Sequence, residues 1–286
     1  MAGMELPGEV WPEAARAVAY VAARSAGDPV DPTLRVTLNF HPDRFVTDGV
    51  LVLDAMARDG VYRSQFETGT SNGGLTAHPG GDRWSWESRL FGATYDHTPA
   101  QRRPKYGALN HRKRDVGGSP RFGSAHFRLT SETLARATFC YPDSTFDPTH
   151  LGVTARMNLI AIADNDDADA LDDYIEAHIH GPLSFDHDIE ALVLDPSHRD
   201  TRTEAAAHRL GCPVEWHAGY RLTVDELRQH PDYRGPDYVE LGTSLARRGH
   251  LDPALLGDAA RTARHDDQAI KRVWHLLARY GAPHRR

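Results

Sequence analysis

The segment from Tyr174 to Asp195 constrains the fold more than any other stretch of the chain. Ile175, Ala177 and Ile179 fall on one side of an extended backbone, while Tyr174, Glu176, His178 and His180 share the other. Gly181-Pro182 turns the chain, and the almost wholly apolar run Ile189 to Leu194 suits a second, more buried strand. This pattern predicts a sheet with one core face and one face loaded with ionisable groups, opening onto a cleft. A carboxylate and two imidazoles projecting there suit acid–base chemistry or metal binding.

The remaining chain supplies strands and helices to build around that element. Alternation in Arg35 to His41 places Val36, Leu38 and Phe40 on one face and Arg35, Thr37, Asn39 and His41 on the other, with Asp43 joining the polar side if the chain stays extended. Tyr106 to Asn110, Arg121 to Leu129 and Val214 to Leu222 also read as strands. Trp11 to Ala26, Val50 to Asp59, Gly80 to Phe91 and Thr203 to Leu210 read as helices, and helical spacing dominates from Thr223 onward. There is no regular strand–helix alternation and no repeat, so the fold class expected is α+β. The organisation expected is a helical segment over residues 1–32, a catalytic domain over 33–222 and a helical extension over 223–286.

Composition narrows the partners. A formal charge of -7 argues against general attraction to nucleic acid or to an anionic membrane. No apolar run reaches about 18 residues, the length a membrane-crossing helix needs. The amino terminus lacks a basic segment followed by an apolar one, so the expected location is the cytoplasm, or outside the cell by a route without an ordinary signal. Cys140 and Cys212 are too few for a disulfide framework and read as buried thiols.

Two polar regions compete as sites of chemistry. Glu176, His178 and His180 share a strand face, and His187 with Asp186 and Asp188 could complete a metal shell, as in a metal-dependent hydrolase. Neither a helical His-Glu-x-x-His nor a paired Cys-x-x-Cys accompanies them. The run Thr68 to Gly74 offers hydroxyl and amide groups with glycines that let a backbone approach a ligand closely. A third reading is a binding module in which these groups serve only a buried hydrogen-bond network.

The segments His41-Pro-Asp-Arg44, Gln65 to Thr76, Arg103 to Asn110, Ser119 to Ser124 and Tyr174 to Pro182 occur in an order that resembles a bacterial family first catalogued as a domain of unknown function. These segments in turn resemble CteC-like, threonine-modifying ADP-ribosyltransferases. The resemblance implies a split β-sheet holding NAD in a cleft, an effector-like activity and a protein acceptor. It further implies a catalytic pair, Glu176 with an aspartate, for which Asp43 is the first choice and Asp186 and Asp188 are alternatives. His41, Arg44, Thr70, Ser71, Asn72, Gly73 and Gly74 are the NAD contacts it implies, with Tyr106 or Phe122 stacking on the nicotinamide. Position 174 is Tyr, so the Glu-x-Glu spacing of arginine-modifying relatives is absent and a hydroxyl acceptor is favoured.

Overall fold

Eight strands form one open mixed sheet: β1 (Val36–Phe40), β2 (Lys105–Leu109), β3 (Ala125–Leu129), β4 (Ala137–Tyr141), β5 (His150–Val153), β6 (Ile175–Ile179), β7 (Ile189–Leu194) and β8 (Val214–Trp216). The structure is a computed structural model that describes residues 11–46, 49–69, 77–262 and 264–281. The strand order is β5-β4-β6-β2-β1-β3-β7-β8, antiparallel throughout except for the parallel pair β7–β8. The class is α+β, as the sequence predicts.

The alternation read from β1 and β6 separates the two faces. Val36, Leu38 and Phe40 join Ile175, Ala177 and Ile179 in one core, with Phe127 and Phe139 from neighbouring strands. Helices α2 (Val52–Asp59), α5 (Leu159–Asp164) and α6 (Arg202–Ala207) cover this face with Leu53, Leu159, Ala163, Ala206 and Ala207. Between α2 and α5 lie a single turn, α3 (Gln65–Thr68), and α4 (Asp82–Leu90). Gly60 ends α2 in the left-handed conformation at φ 69°, as its place after the last helical residue predicts.

The opposite, polar face is also covered. Helix α1 (Pro12–Ala22) packs Ala17 and Val21 against Cys140, Leu151, Phe91 and Tyr95. The carboxy-terminal quarter supplies α7 (Val224–Leu227), α8 (Pro231–Arg234), α9 (Pro236–Leu245), α10 (Pro253–Arg261) and α11 (Asp267–Tyr280), which bury their own cluster around Leu227, Ile270, Val273, Trp274 and Leu277. Trp274 anchors this layer: its indole N–H lies 3.1 Å from the carbonyls of Pro120 and Arg121, and its ring meets His41 edge-on. The expected open cleft is therefore reduced to a small pocket, because His178 and His180 are 1% and 0% exposed. Among the described residues no helix is long and apolar enough to cross a membrane.

Two strands of this sheet, β4 and β5, lie outside the sequence reading. β4 alternates Ala137, Phe139 and Tyr141 with Thr138 and Cys140, and it pairs β6 over nearly its whole length. The strand expected over Arg121 to Leu129 begins only at Ala125, because Pro120–Phe122 forms a 3-10 turn and Gly123 passes against the Phe40 backbone, where a Cβ would come within 2.0 Å.

Candidate active site

Register brings the chemistry of β4 and β6 together. Glu176 pairs with Cys140 and His178 with Thr138, while on the other side of β6 they face Ala108 and Tyr106 of β2. Four side-chain hydrogen bonds then run along the face. Tyr95 Oη lies 2.7 Å from His180 Nδ1, His180 Nε2 lies 2.9 Å from Thr138 Oγ1, Thr138 Oγ1 lies 3.1 Å from His178 Nδ1, and His178 Nε2 lies 2.8 Å from Glu176 Oε1.

The direction of this chain follows from Glu176 outward. An ionised carboxylate only accepts, so His178 Nε2 carries a proton, and in the tautomer with that single ring proton Nδ1 is an acceptor. The Thr138 hydroxyl must donate to that nitrogen, and its oxygen accepts from His180 Nε2–H. His180 Nδ1 then accepts from Tyr95 O–H. Burial, first, and the Lys105 charge hold His180 well below the usual imidazole range, which keeps it neutral as this order requires. Burial also acts to raise the Glu176 carboxyl, but the hydrogen bond from His178, the Arg83 guanidinium and the Ser144 N–H outweigh it. Glu176 therefore lies below its ordinary value and is ionised at neutral pH.

Glu176 forms part of the wall of a pocket of about 90 Å³ together with Arg83, Arg121, Lys271, Trp86, Phe122, Tyr174, Asp143, Ser144 and Thr145. That is room for on the order of six waters or one ring-sized group. Helix α4 brings Arg83 here because Glu87, one turn on, is clamped beneath it: Arg103 Nη1 donates to Glu87 Oε2 at 2.5 Å and Tyr106 Oη donates to Glu87 Oε1 at 2.8 Å. The Arg83 guanidinium lies 4.3 Å above the Tyr106 ring and 5.1 Å from that of Trp86, yet its Nη1 is buried with no hydrogen-bond partner. A buried donor left unsatisfied costs about 1–3 kcal/mol, so this nitrogen marks a place for an acceptor.

The residues singled out by sequence do not all meet. Glu176 lines the pocket, as does Phe122, which meets Tyr174 edge-on. Tyr106 is not part of that wall; its hydroxyl is used by Glu87 and one ring face by Arg83. Asp43 is likewise absent from the wall. It is buried beneath α10, where Arg261 Nη1 donates to its Oδ2 at 3.1 Å and its carboxylate lies so close to Gly257 that a Cβ there would come within 1.4 Å. His41 packs on Trp274, and burial followed by the Arg44 charge holds its imidazole well below the usual range. Arg44 itself feels the carboxylates of Asp43 and Asp267. Thr70, Ser71, Asn72, Gly73 and Gly74 lie outside the described residues. Asp186 and His187 are exposed, and Asp188 is paired with Arg136 at 2.6 Å, so these three do not extend the histidine pair. His180 uses both ring nitrogens in the chain described above.

The sequence matches the family described as Protein of unknown function (DUF3626) over two overlapping segments, residues 35–164 and 149–280. The chain is a member of the DUF3626 family. No curated protein matches it. The match reaches residue 280, so the DUF3626 region includes the helical layer that carries Lys271 and Trp274 as well as the sheet. Within this DUF3626 chain, sequence reasoning missed Arg83, Asp143, Ser144 and Thr138. The signal for Thr138 was the alternation in β4. Asp143 had a local one, since an Asp two residues before Thr145 caps a turn, accepting the Thr145 N–H at 2.8 Å while its other oxygen receives the Tyr174 hydroxyl.

Proposed function

We propose that this DUF3626 protein is an NAD-dependent mono-ADP-ribosyltransferase that modifies a hydroxyl side chain of a protein, with an ADP-ribosyltransferase-like arrangement built on its central sheet. The observation that carries the reading is an ionised Glu176, held by His178, at the wall of a pocket that also presents Arg83, Arg121 and Lys271 with the rings of Trp86, Phe122 and Tyr174. Such a set matches a substrate with an aromatic base, a ribose and a charged pyrophosphate. The motif resemblance supplies the substrate class. The pocket is sized for the nicotinamide end, with cations able to meet phosphate oxygens.

Cleavage of the bond between nicotinamide and ribose C1 sends its electron pair to the ring nitrogen and leaves positive charge on the ribose. Glu176 stabilises that charge, an interaction stronger in the transition state than in the ground state. The acceptor oxygen then bonds to C1, and its proton passes to Glu176, whose negative charge the quenched cation no longer needs. General-base help of this kind is typically worth about 10²–10⁴ in rate.

The test is nicotinamide release by the purified protein, with and without a protein lysate, beside Glu176→Gln. The amide keeps the shape and can still accept from His178, so NAD affinity measured by calorimetry should persist while release falls to background. Wild-type release from Glu176→Gln, or failure of the wild type to bind NAD, would overturn the proposal.

A further inference from the structure

The hydrogen-bond chain ends beside a group that this reaction does not use. Cys140 Sγ lies 3.9 Å from Glu176 Oε1 and 4.0 Å from His178 Nε2, and all three residues are buried. Their ligand atoms fall within 4.8 Å of one another, and among the described residues they are the group of three that could hold a metal ion. We propose that Cys140, Glu176 and His178 form a site for a thiophilic divalent cation of the zinc class, and that its occupancy withdraws Glu176 from the pocket.

The donor chemistry and the spacing both favour such a cation. A thiolate, an imidazole and a carboxylate are the ligand types zinc takes, at about 2.3 Å for sulfur and about 2.0–2.2 Å for nitrogen and oxygen; tetrahedral angles then separate the ligand atoms by about 3.3–3.6 Å. The present separations bracket that range. Oε1 and Nε2, now 2.8 Å apart across a proton, must open by about half an ångström, and Sγ must close by a few tenths, which a rotation about the Cys140 side chain supplies. Harder cations such as magnesium or calcium prefer all-oxygen shells and are disfavoured by the thiol. Glu176 is also pocket wall, so the ion has a way in and water can complete its shell.

The outer shell is already present. A histidine that ligates through Nε2 carries its proton on Nδ1, and here Nδ1 faces the Thr138 hydroxyl at 3.1 Å. Ligation therefore reverses the donor order: His178 Nδ1–H donates to Thr138, Thr138 donates to His180 Nε2, and His180 Nδ1–H donates to Tyr95 Oη. Each of these groups keeps its proton count, and the heavy-atom contacts stay in place. The proton released to solvent is that of the Cys140 thiol, which burial and the nearby Glu176 charge keep on sulfur in the metal-free protein.

Binding of the ion stands apart from the NAD reading; its effect on turnover rests on it. The metal-free protein is titrated with Co²⁺, and with Zn²⁺ against a chromophoric chelator, alongside Cys140→Ser and Cys140→Ala, with circular dichroism as the check on folding. One equivalent should bind, with a thiolate-to-cobalt absorption band absent from both variants and a Zn²⁺ affinity at least about 10-fold weaker in them. Long-range ¹⁵N spectra of the wild type should move His178 from the Nε2–H to the Nδ1–H tautomer. Absence of the band in the wild type, or equal affinity in a folded Cys140 variant, overturns the site. Because the spectra use the wild type alone, an unchanged tautomer at saturating Zn²⁺ overturns it even if neither variant folds. Glu176-dependent nicotinamide release without metal binding would sink the site and leave the transferase standing. Metal binding with no nicotinamide release at any occupancy would do the reverse.

Discussion

Thr138→Val isolates the hydroxyl at the centre of the chain, because valine keeps the branched shape and removes only the oxygen. Thr138 is fully buried and serves two partners, accepting from His180 at 2.9 Å and donating to His178 at 3.1 Å. The substitution leaves one buried donor and one buried acceptor without partners, each costing about 1–3 kcal/mol, so unfolding stability should fall by roughly 2–6 kcal/mol. At about 2–4 °C per kcal/mol this is a loss on the order of 4–24 °C in Tm. The second consequence is local. With Nδ1 no longer held by a donor, the His178 ring loses its fixed orientation, its bond to Glu176 loosens, and the Glu176 carboxyl rises towards or above its ordinary value. Nicotinamide release by the folded protein should drop by about 10-fold, equivalent to about 1.4 kcal/mol in the barrier, with the acid limb of its pH profile moved upward. Thr138→Ser, which keeps the hydroxyl and loses a methyl, should recover the pH profile and most of the rate. Urea melts and pH-rate profiles of the three proteins decide the matter. If serine is no better than valine, packing of the methyl rather than the hydrogen-bond order governs this position, and the directed chain is refuted.

Three further outcomes follow from the geometry. Arg83→Gln removes a guanidinium from the pocket wall, and NAD affinity by calorimetry should weaken about 10-fold, with Arg83→Lys failing to restore it because an ammonium cannot reproduce the planar fork; unchanged affinity would remove Arg83 from the phosphate-binding role. Burial pushes His126 and His275 down to about 3, far below the unfolded value near 6.5, so the stability they contribute is complete above about pH 6.5 and is lost as pH falls from there towards 3. By pH 5 each should cost about 2 kcal/mol in urea melts, and His275→Leu, which removes a ring with both nitrogens unpartnered, should be at least as stable as the wild type at pH 7 and lose about half of this acid sensitivity. Asp43→Asn leaves Arg261 facing a neutral group and should lower the denaturation midpoint while sparing turnover of the folded protein; lost turnover at undiminished stability would return Asp43 to the catalytic pair.

What the sequence made legible, and what it hid, divide along a physical line. Period-two alternation separates the two faces of β1 and β6, because a one-residue slip would exchange every buried side chain for a polar one. That argument located Glu176, His178 and His180 on one side of one strand and Ile175, Ala177 and Ile179 on the other, and the structure keeps both sets as read. Alternation is silent about what lies above the polar face. Helix α4 buries Arg83, Glu87 and Leu90 as a stripe in which two of three members are charged, so no apolar period announces that it docks. The charges are tolerated because each has a counterpart that arrives from far along the chain: Glu87 meets Arg103 and Tyr106, and Arg83 faces Tyr106 and Glu176. The same distance in sequence concealed Thr138, which becomes a partner of the histidines only when β4 pairs β6.

Asp43 shows the converse. It sits at a strand end, where a polar residue after an apolar run looks placed for chemistry, yet α10 closes over it with Gly257 and Arg261. A carboxylate is therefore defined less by its own position in the pattern than by its neighbours. Glu176 receives hydrogen bonds to its charged form while one edge borders open volume; Asp43 receives an arginine and no pocket. That difference in surroundings is why the proposed reaction is placed on Glu176, and why the perturbations chosen above act on the groups around it as much as on the carboxylate itself.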